Sequence, residues 1–203
     1  MSVSRWRGVW RRFSGRGAYP YELAFLLTIP LRRLIQPPRT LVRRLHLQRD
    51  PCVLEVGPGP GFFSTEVAGE IPQGRLVLFD LQREMLVKAR RRLRRAGAVN
   101  AALVQGDGSR LPFRTGSFDI AFLVAVLGEI PDPAACVESL HRVLRRGGLL
   151  SITETIGDPD ALTQEKLGAL MQSIGFEVAE LFVDRVGFTA TFRSLLRDRD
   201  MAG

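Results

Sequence analysis

The sequence predicts an α/β fold: a doubly wound, mostly parallel seven-stranded sheet closed by a C-terminal antiparallel hairpin. Three observations carry this expectation. From residue 51 onward, short apolar runs alternate with stretches of helical periodicity, the pattern of βα units. Glycines 57, 59 and 61 follow the first apolar run and open the first helical stretch. The last two runs, Phe176–Val183 and Phe188–Phe192, stand too close for a crossover helix and must pair as a hairpin.

Each element follows in order. Ahead of the sheet, Tyr21 to Ile29 is mostly apolar, and Leu31, Leu34 and Ile35 continue at helical spacing until Pro37-Pro38 ends that piece. Thr40 is the expected cap of a short helix carrying Leu41 and Leu45. Cys52–Val56 is the first strand, and Phe62 to Glu70 the helix after the glycines. Arg75 to Phe79 is the second strand, ending at Asp80. Gln82 to Ala96 is a helix with Met85, Ala89, Leu93 and Ala96 on its apolar stripe and the Arg90–Arg95 run on a solvated face. Ala101–Val104 is the third strand. The apolar run Phe118 to Val126 is a fourth, buried on both faces. Pro133 to Leu144 is a helix expected to be capped by Gly147-Gly148, followed by a fifth strand, Leu149–Thr153. Thr163 to Ser173 is a helix stopped at Gly175.

Charge divides the chain into two parts. Residues 1–50 hold eleven arginines against Glu22 and Asp50, a net +9, so the remainder of a chain with net charge +8 is close to neutral. All tryptophans and tyrosines lie in the same stretch: Trp6, Trp10, Tyr19 and Tyr21. We therefore expect a basic, aromatic helical leader or lid over residues 1–50 and a catalytic domain over 51–203. Hydrophobic residues at 45% and charged residues at 25% exclude a disordered or fibrous chain. No apolar run is long enough for a membrane span, and no secretory signal is expected, so the cytoplasm is the expected compartment. Cys52, Cys136, His46 and His141 have no zinc-ligand spacing, and no metal is expected.

The chemistry concentrates where three strands end. Glu55-x-Gly57-x-Gly59-x-Gly61 leaves the first strand, and such a turn brings backbone close to a ligand and aims helix N–H groups at it. The dinucleotide fingerprint has its third glycine one position later, where Phe62 stands, which argues against NAD. Asp80 ends the second strand 19 residues after Gly61, placed to accept hydrogen bonds from ribose hydroxyls. Gly106-Asp107-Gly108 follows the third strand. A glycine turn and two acids at successive strand ends define a nucleoside site at the carboxyl edge of the sheet.

These segments resemble the class I S-adenosylmethionine-dependent methyltransferases, in the small-molecule branch that includes the ubiquinone- and menaquinone-biosynthesis enzymes. The resemblance runs from about Pro51 to Phe192 and is carried by VLEVGPGPG (53–61), LVLFDLQREMLVKAR (76–90), GDGSRLPFRTGSFDIAF (106–122), EIPDP (129–133), HRVLRRGGLLSITE (141–154) and SIGFEV (173–178). It implies S-adenosylmethionine as cofactor. Glu55, Gly57, Gly59 and Gly61 then border its methionine part, Asp80 holds the ribose and Leu81 meets the adenine. Asp107 takes the adenine amino group between Gly106 and Gly108, and Val124 and Val126 face the sulfonium.

The acceptor is less defined. Glu129, after the fourth strand, is the candidate general base, and Glu154, ending the fifth strand at the same edge, is a second acid of that kind. His46, His141 and both cysteines read as structural. Only about nine residues (155–163) follow the fifth strand, so no substrate lid is expected there and the leader, through residues 19–36, is expected to close the site. A leader of Arg, Trp and Tyr with LAFLLTI (23–29) suits an anionic membrane surface and a small, hydrophobic or lipid-like acceptor. The alternatives are an RNA- or ribosome-directed methyltransferase with the leader as clamp, and a non-catalytic cofactor-binding protein. Nucleic acid is disfavoured because the strand-four exit, Val126 to Pro131, lacks the Asn/Asp-Pro-Pro-aromatic run of adenine amino methylation.

Overall fold

The computed structural model describes residues 37–48 and 50–195. The expected features of residues 1–36, including the proposed lid segment and both tryptophans, lie outside the described residues. Seven strands form one sheet: β1 (Cys52–Val56), β2 (Arg75–Asp80), β3 (Ala101–Gln105), β4 (Phe118–Val124), β5 (Leu144–Thr155), β6 (Phe176–Asp184) and β7 (Gly187–Ser194). Their spatial order is β3-β2-β1-β4-β5-β7-β6. The first five strands pair in parallel, and β7 inserts antiparallel between β5 and β6. Among the described residues, five helices cover the faces: α1 (Pro38–Arg44), α2 (Ser64–Glu70), α3 (Arg83–Arg95), α4 (Pro133–Val143) and α5 (Gln164–Ile174).

The central strands feed two cores because successive side chains point to opposite faces. Val53, Leu76, Leu78, Ile120 and Phe122 pack with α1, α2 and α3, through Leu41, Val67 and Ala89 among others. Leu54, Val56, Val77, Phe79, Ala121 and Leu123 pack on the other face with Val137 and Leu140 of α4 and with Leu167 and Met171 of α5. By the same alternation, Glu55 and Asp80 fall in phase with Val53 and Leu78, on the side of α2 and α3.

Four local expectations are corrected. Pro38, not Thr40, opens α1: its fixed φ suits the first helical turn, and no side chain caps that end. On α3 the buried stripe is Met85, Leu86, Ala89 and Leu93, whereas Ala96 sits exposed past the last turn. Strand β4 stops at Val124 because Ala125 turns left-handed at φ 53°, its N–H donating to Thr153 O at 2.8 Å. Gly147-Gly148 do not cap α4. Strand β5 begins at Leu144, opposite Phe118, and bulges over the next residues, with Gly147 at φ 71°, before Leu149 pairs with Ile120. Asp119 fixes that bulge, accepting from the Cys52 N–H at 2.6 Å and from Arg145 Nη1 at 2.6 Å.

Gly128 holds the turn after β4 against the segment after β5. An ideal Cβ there would lie 1.7 Å from Asp160 O. Gly128→Ala must push this segment away, at a cost of about 1–3 kcal/mol in line with other overpacked sites. Urea unfolding of the variant measures it, and a midpoint equal to wild type counts against so close a backbone contact.

Candidate active site

The carboxyl edge of β1, β2 and β4 assembles the residues singled out above. The turn after β1 holds Gly57, Gly59 and Gly61 at φ 68°, 53° and 77°, a backbone only glycine adopts without strain. Gly57 donates its N–H to Phe79 O at 2.8 Å, tying the turn to β2. A Cβ on Gly57 would stand 2.5 Å from a Val126 methyl, and one on Gly61 would stand 3.1 Å from Ala89 Cα. The turn is therefore pressed between the exit of β4 and helix α3, and Val126 lies beside it.

Asp80 is buried at the end of β2. Its Oδ2 accepts from the Gly59 N–H at 3.2 Å and its Oδ1 from the Gln82 N–H at 2.8 Å. Burial pushes its carboxyl up to about 6, although these two N–H donors favour the charged form. Glu55, buried on β1, accepts from Ser64 Oγ at 2.5 Å, and burial pushes it up to about 8 with a smaller push from Asp80. Leu81 is 56% exposed immediately beyond Asp80, its carbonyl held by Gln105 Nε2 at 3.1 Å. Gly106 donates to Asp80 O at 3.1 Å, and the Phe79 ring leaves no room for a Cβ there. Asp107 is exposed on the next turn, accepting from the Ser109 N–H at 2.9 Å, and Gly108 packs against Ile130.

The remaining candidates separate by position. Glu129 ends a 3₁₀ turn, Leu127–Glu129, and is half-buried. Asp132 caps α4, its Oδ1 accepting from the Ala135 N–H at 3.0 Å, with Pro133 opening the helix. Glu154 ends β5 almost fully buried, and burial together with the charges of Asp158 and Glu129 pushes it up to about 8. His46 pairs with Glu180 at 2.7 Å on the outer strand. His141 lies 3.2 Å from Gly175 O and edge-on to Phe176. Cys136 is buried under the sheet, its thiol pushed up to about 12. No group of His, Cys, Asp and Glu among the described residues forms a metal site.

Sequence reasoning missed an open cleft beside β4. Its lining includes Leu41 and Arg44 of α1, Phe63, Val124 at the end of β4, Thr153 and Glu154 of β5, and Phe188 and Thr189 of β7. Arg44 bridges it, donating to Thr189 Oγ1 at 2.8 Å and to Asp184 Oδ2 at 3.3 Å. No local motif announces such a cleft, because residues more than 100 positions apart line it.

A doubly wound sheet with this strand order, a glycine turn and an acid at the end of β2 defines a Rossmann-like domain with a nucleoside-binding edge. Residues 54–152 match the model of the methyltransferase domain family. The structure superposes on a SAM-dependent methyltransferase from Aquifex aeolicus with a TM-score of 0.82 at 19% identity, covering 87% of this chain and all (100%) of that one. In sequence the chain is similar to an uncharacterised 37.1 kDa protein of transposon TN4556 from Streptomyces fradiae, 33% identical over 154 residues, 73% of this chain and 43% of that protein. It is also 27% identical over 128 residues to a demethylmenaquinone methyltransferase of Geobacillus stearothermophilus, 63% of this chain and 55% of that enzyme. The chain spans about half the length of the curated relatives it matches. Residues 54–152 thus resemble a class I S-adenosylmethionine-dependent methyltransferase domain, with demethylmenaquinone methyltransferases among the relatives. Among the described residues no helix is long and apolar enough to cross a membrane.

Three buried acids, Glu55, Asp80 and Glu154, titrate above the usual carboxylate range in the folded chain. The folded state then keeps protons that the unfolded chain releases, so stability is greatest near the ordinary carboxylate pKa and declines as pH rises through about 6 and on to about 8. The Tm of the ligand-free protein should fall by several degrees from pH 6 to pH 8.5, and Glu55→Gln should flatten that slope. A Tm that rises over the same interval contradicts the assignment.

Proposed function

We propose that this protein transfers a methyl group from S-adenosylmethionine to a small, hydrophobic or lipid-like acceptor. The observation that carries the reading is that Val126, just past β4, packs against Gly57 of the glycine turn, while Val124, the last residue of the same strand, lines an open, largely apolar cleft. The relatives named for demethylmenaquinone methylation support an acceptor of this class.

The residues present fit the cofactor. Asp80 is already held by two backbone N–H groups and offers the acceptor oxygens that ribose hydroxyls require. Leu81 presents the exposed apolar surface an adenine needs, with Asp107 and the glycines 106 and 108 on the far side. Glu55 and the turn 57–61 border the methionine end, and Val124 and Val126 the reacting end. When bound, the cofactor supplies an electrophilic methyl group on a good leaving group. The task of the chain is then alignment and exclusion of water rather than elaborate acid–base work. Nothing in the turn 126–131 favours an RNA target.

Calorimetry with S-adenosylhomocysteine tests the cofactor site. Asp80→Ala should weaken binding by about 1.5–3 kcal/mol, the worth of hydrogen bonds to a charged group. Because the hydroxyls favour ionised Asp80, wild-type affinity should fall about tenfold between pH 7 and pH 5 as the group protonates near 6. Label from tritiated S-adenosylmethionine should enter reduced demethylmenaquinone and not ribosomal RNA. Label in the RNA alone would replace this acceptor class.

We propose further that the leader meets anionic membrane, which brings a lipid-like acceptor to the cleft. The support is its eleven arginines and both tryptophans. Tryptophan emission should shift to the blue on adding phosphatidylglycerol vesicles and keep part of that shift at about 1 M salt, where charge attraction is screened within ~3 Å. Loss of the whole shift in salt would leave only an electrostatic contact.

A further inference from the structure

We infer that the outward face of α3 is a docking surface for an anionic lipid bilayer, its arginines set against lipid phosphates. The choice of lipid over other polyanions rests on the lipid-like acceptor proposed above; the cationic face itself does not. Helix α3 carries seven cations against one acid, Glu84. Its net charge of +6 stands against −7 over the rest of residues 51–203, so the positive charge of the sheet domain is gathered on this one element.

Met85, Leu86, Ala89 and Leu93 form the buried stripe of α3. With about 3.6 residues per turn, Arg83, Arg90, Arg91, Arg94 and Arg95 turn away from that stripe, and all five are exposed. Among the described residues, no carboxylate forms an ion pair with any of the five. Arg92 differs, its guanidinium lying 5.5 Å from the Phe62 ring. A helix that merely covers a sheet gains by alternating charge along its wet side. Here Arg90 and Arg94, and Arg91 and Arg95, stand four apart, and each like pair works against the helix. The macrodipole favours the cations of the last turn, but it disfavours Arg83, the first helical residue. A dense array of phosphates relieves this repulsion, and the arginine fork is the donor that grips phosphate with two bonds.

The surroundings fit a bilayer. Val87, 40% exposed, stands among the arginines, and Val99, 95% exposed, stands at the turn before β3, so apolar points accompany the charge. Helix α3 has no aromatic residue on which a base could stack. The buried residues of α1, α2 and α3 share one core on one side of the sheet, and α1 also walls the cleft. Docking through α3 therefore turns the α1 side of the cleft toward the lipid.

The test is co-sedimentation of the full-length protein with vesicles of phosphatidylglycerol and phosphatidylcholine, with pure phosphatidylcholine as the control without net charge. Wild type should bind the anionic vesicles and leave the control vesicles unbound. Arg91→Gln should weaken binding roughly fivefold, the worth of one cation at an anionic surface, and the triple variant Arg91→Gln, Arg94→Gln, Arg95→Gln roughly a hundredfold. Lysine at the same three positions should restore most of the loss. Lys166→Gln, exposed on α5 at the opposite side of the sheet, should change nothing. Calorimetry with S-adenosylhomocysteine should give the triple variant the wild-type affinity, which shows that the fold is kept. Equal vesicle affinity for wild type and the triple variant overturns the inference, as does an equal loss in Lys166→Gln. So does a duplex RNA whose binding falls in the triple variant while vesicle binding does not. If the triple variant does not fold, Arg91→Gln against Lys166→Gln decides on the same terms. The acceptor reading fails separately, on label transfer to demethylmenaquinone, so the two failures are distinct.

Discussion

The register of β1 between β2 and β4 governs the rest of the molecule. Leu54 opposite Val77 and Ala121, with Val56 opposite Phe79 and Leu123, fixes which side chains point to which face along all three strands. That parity places Glu55 and Asp80 toward α2 and α3, at the level where the glycine turn leaves the sheet. A slip of β1 by one residue would send Glu55 to the other face and put Leu54 and Val56 into the wrong core. The turn itself is equally constrained: Val126 fills the space a Gly57 side chain would need, and Ala89 fills that of Gly61. Three elements distant in sequence thus close on one stretch of bare backbone.

This arrangement sets stability against function. Glu55, Asp80 and Glu154 are carboxyls buried at a sheet edge, where desolvation disfavours their charged forms. Only part of that cost is offset, by Ser64 on Glu55, by two backbone N–H groups on Asp80 and by Leu162 on Glu154. The apolar layers on both faces supply the surplus, with Phe79, Phe122 and Phe192 among the largest side chains completely buried.

What the sequence made legible were features encoded within one segment. The bounds of β1 and the ends of β2 follow from short apolar runs between a proline, a glycine turn and an acid, and the glycine–acid–acid series at three strand ends needed no knowledge of packing. The misreadings have a common cause, competition from distant partners. Gly147-Gly148 looks like a helix stop, but Asp119, on a different strand, recruits Arg145 and turns those glycines into a bulge. Ala96 has the right spacing for the α3 stripe, but the sheet ends before reaching it, and Leu86 takes the contact. Thr40 has the right chemistry for a cap, but Pro38 starts the helix sooner. The cleft was not legible at all, since its walls come from α1, β4, β5 and β7 and none carries a motif of its own.

The short connection after β5 gives α1 its importance. Eight residues separate Thr155 from Gln164, too few to cover the edge of β4 and β5, and Gly128 pins that segment against Asp160 rather than letting it reach over the cleft. Cover on this side must therefore come from the chain preceding β1, where Leu41 and Leu45 anchor α1 on the α2 core and Arg44 reaches across to Asp184 and Thr189, its guanidinium 4.9 Å from the Phe182 ring. One buried edge of α1 is fixed by apolar contact and the other by a charged bridge over the cleft. The α1 wall of the cleft thus belongs to a segment whose position depends on β6 and β7, while the glycine turn and Asp80 depend on β1 and β2. Val124, on the strand that pairs with β1, is also a wall of the cleft, so α1 and the hairpin can vary on that side while the parity that aligns Glu55 and Asp80 stays intact.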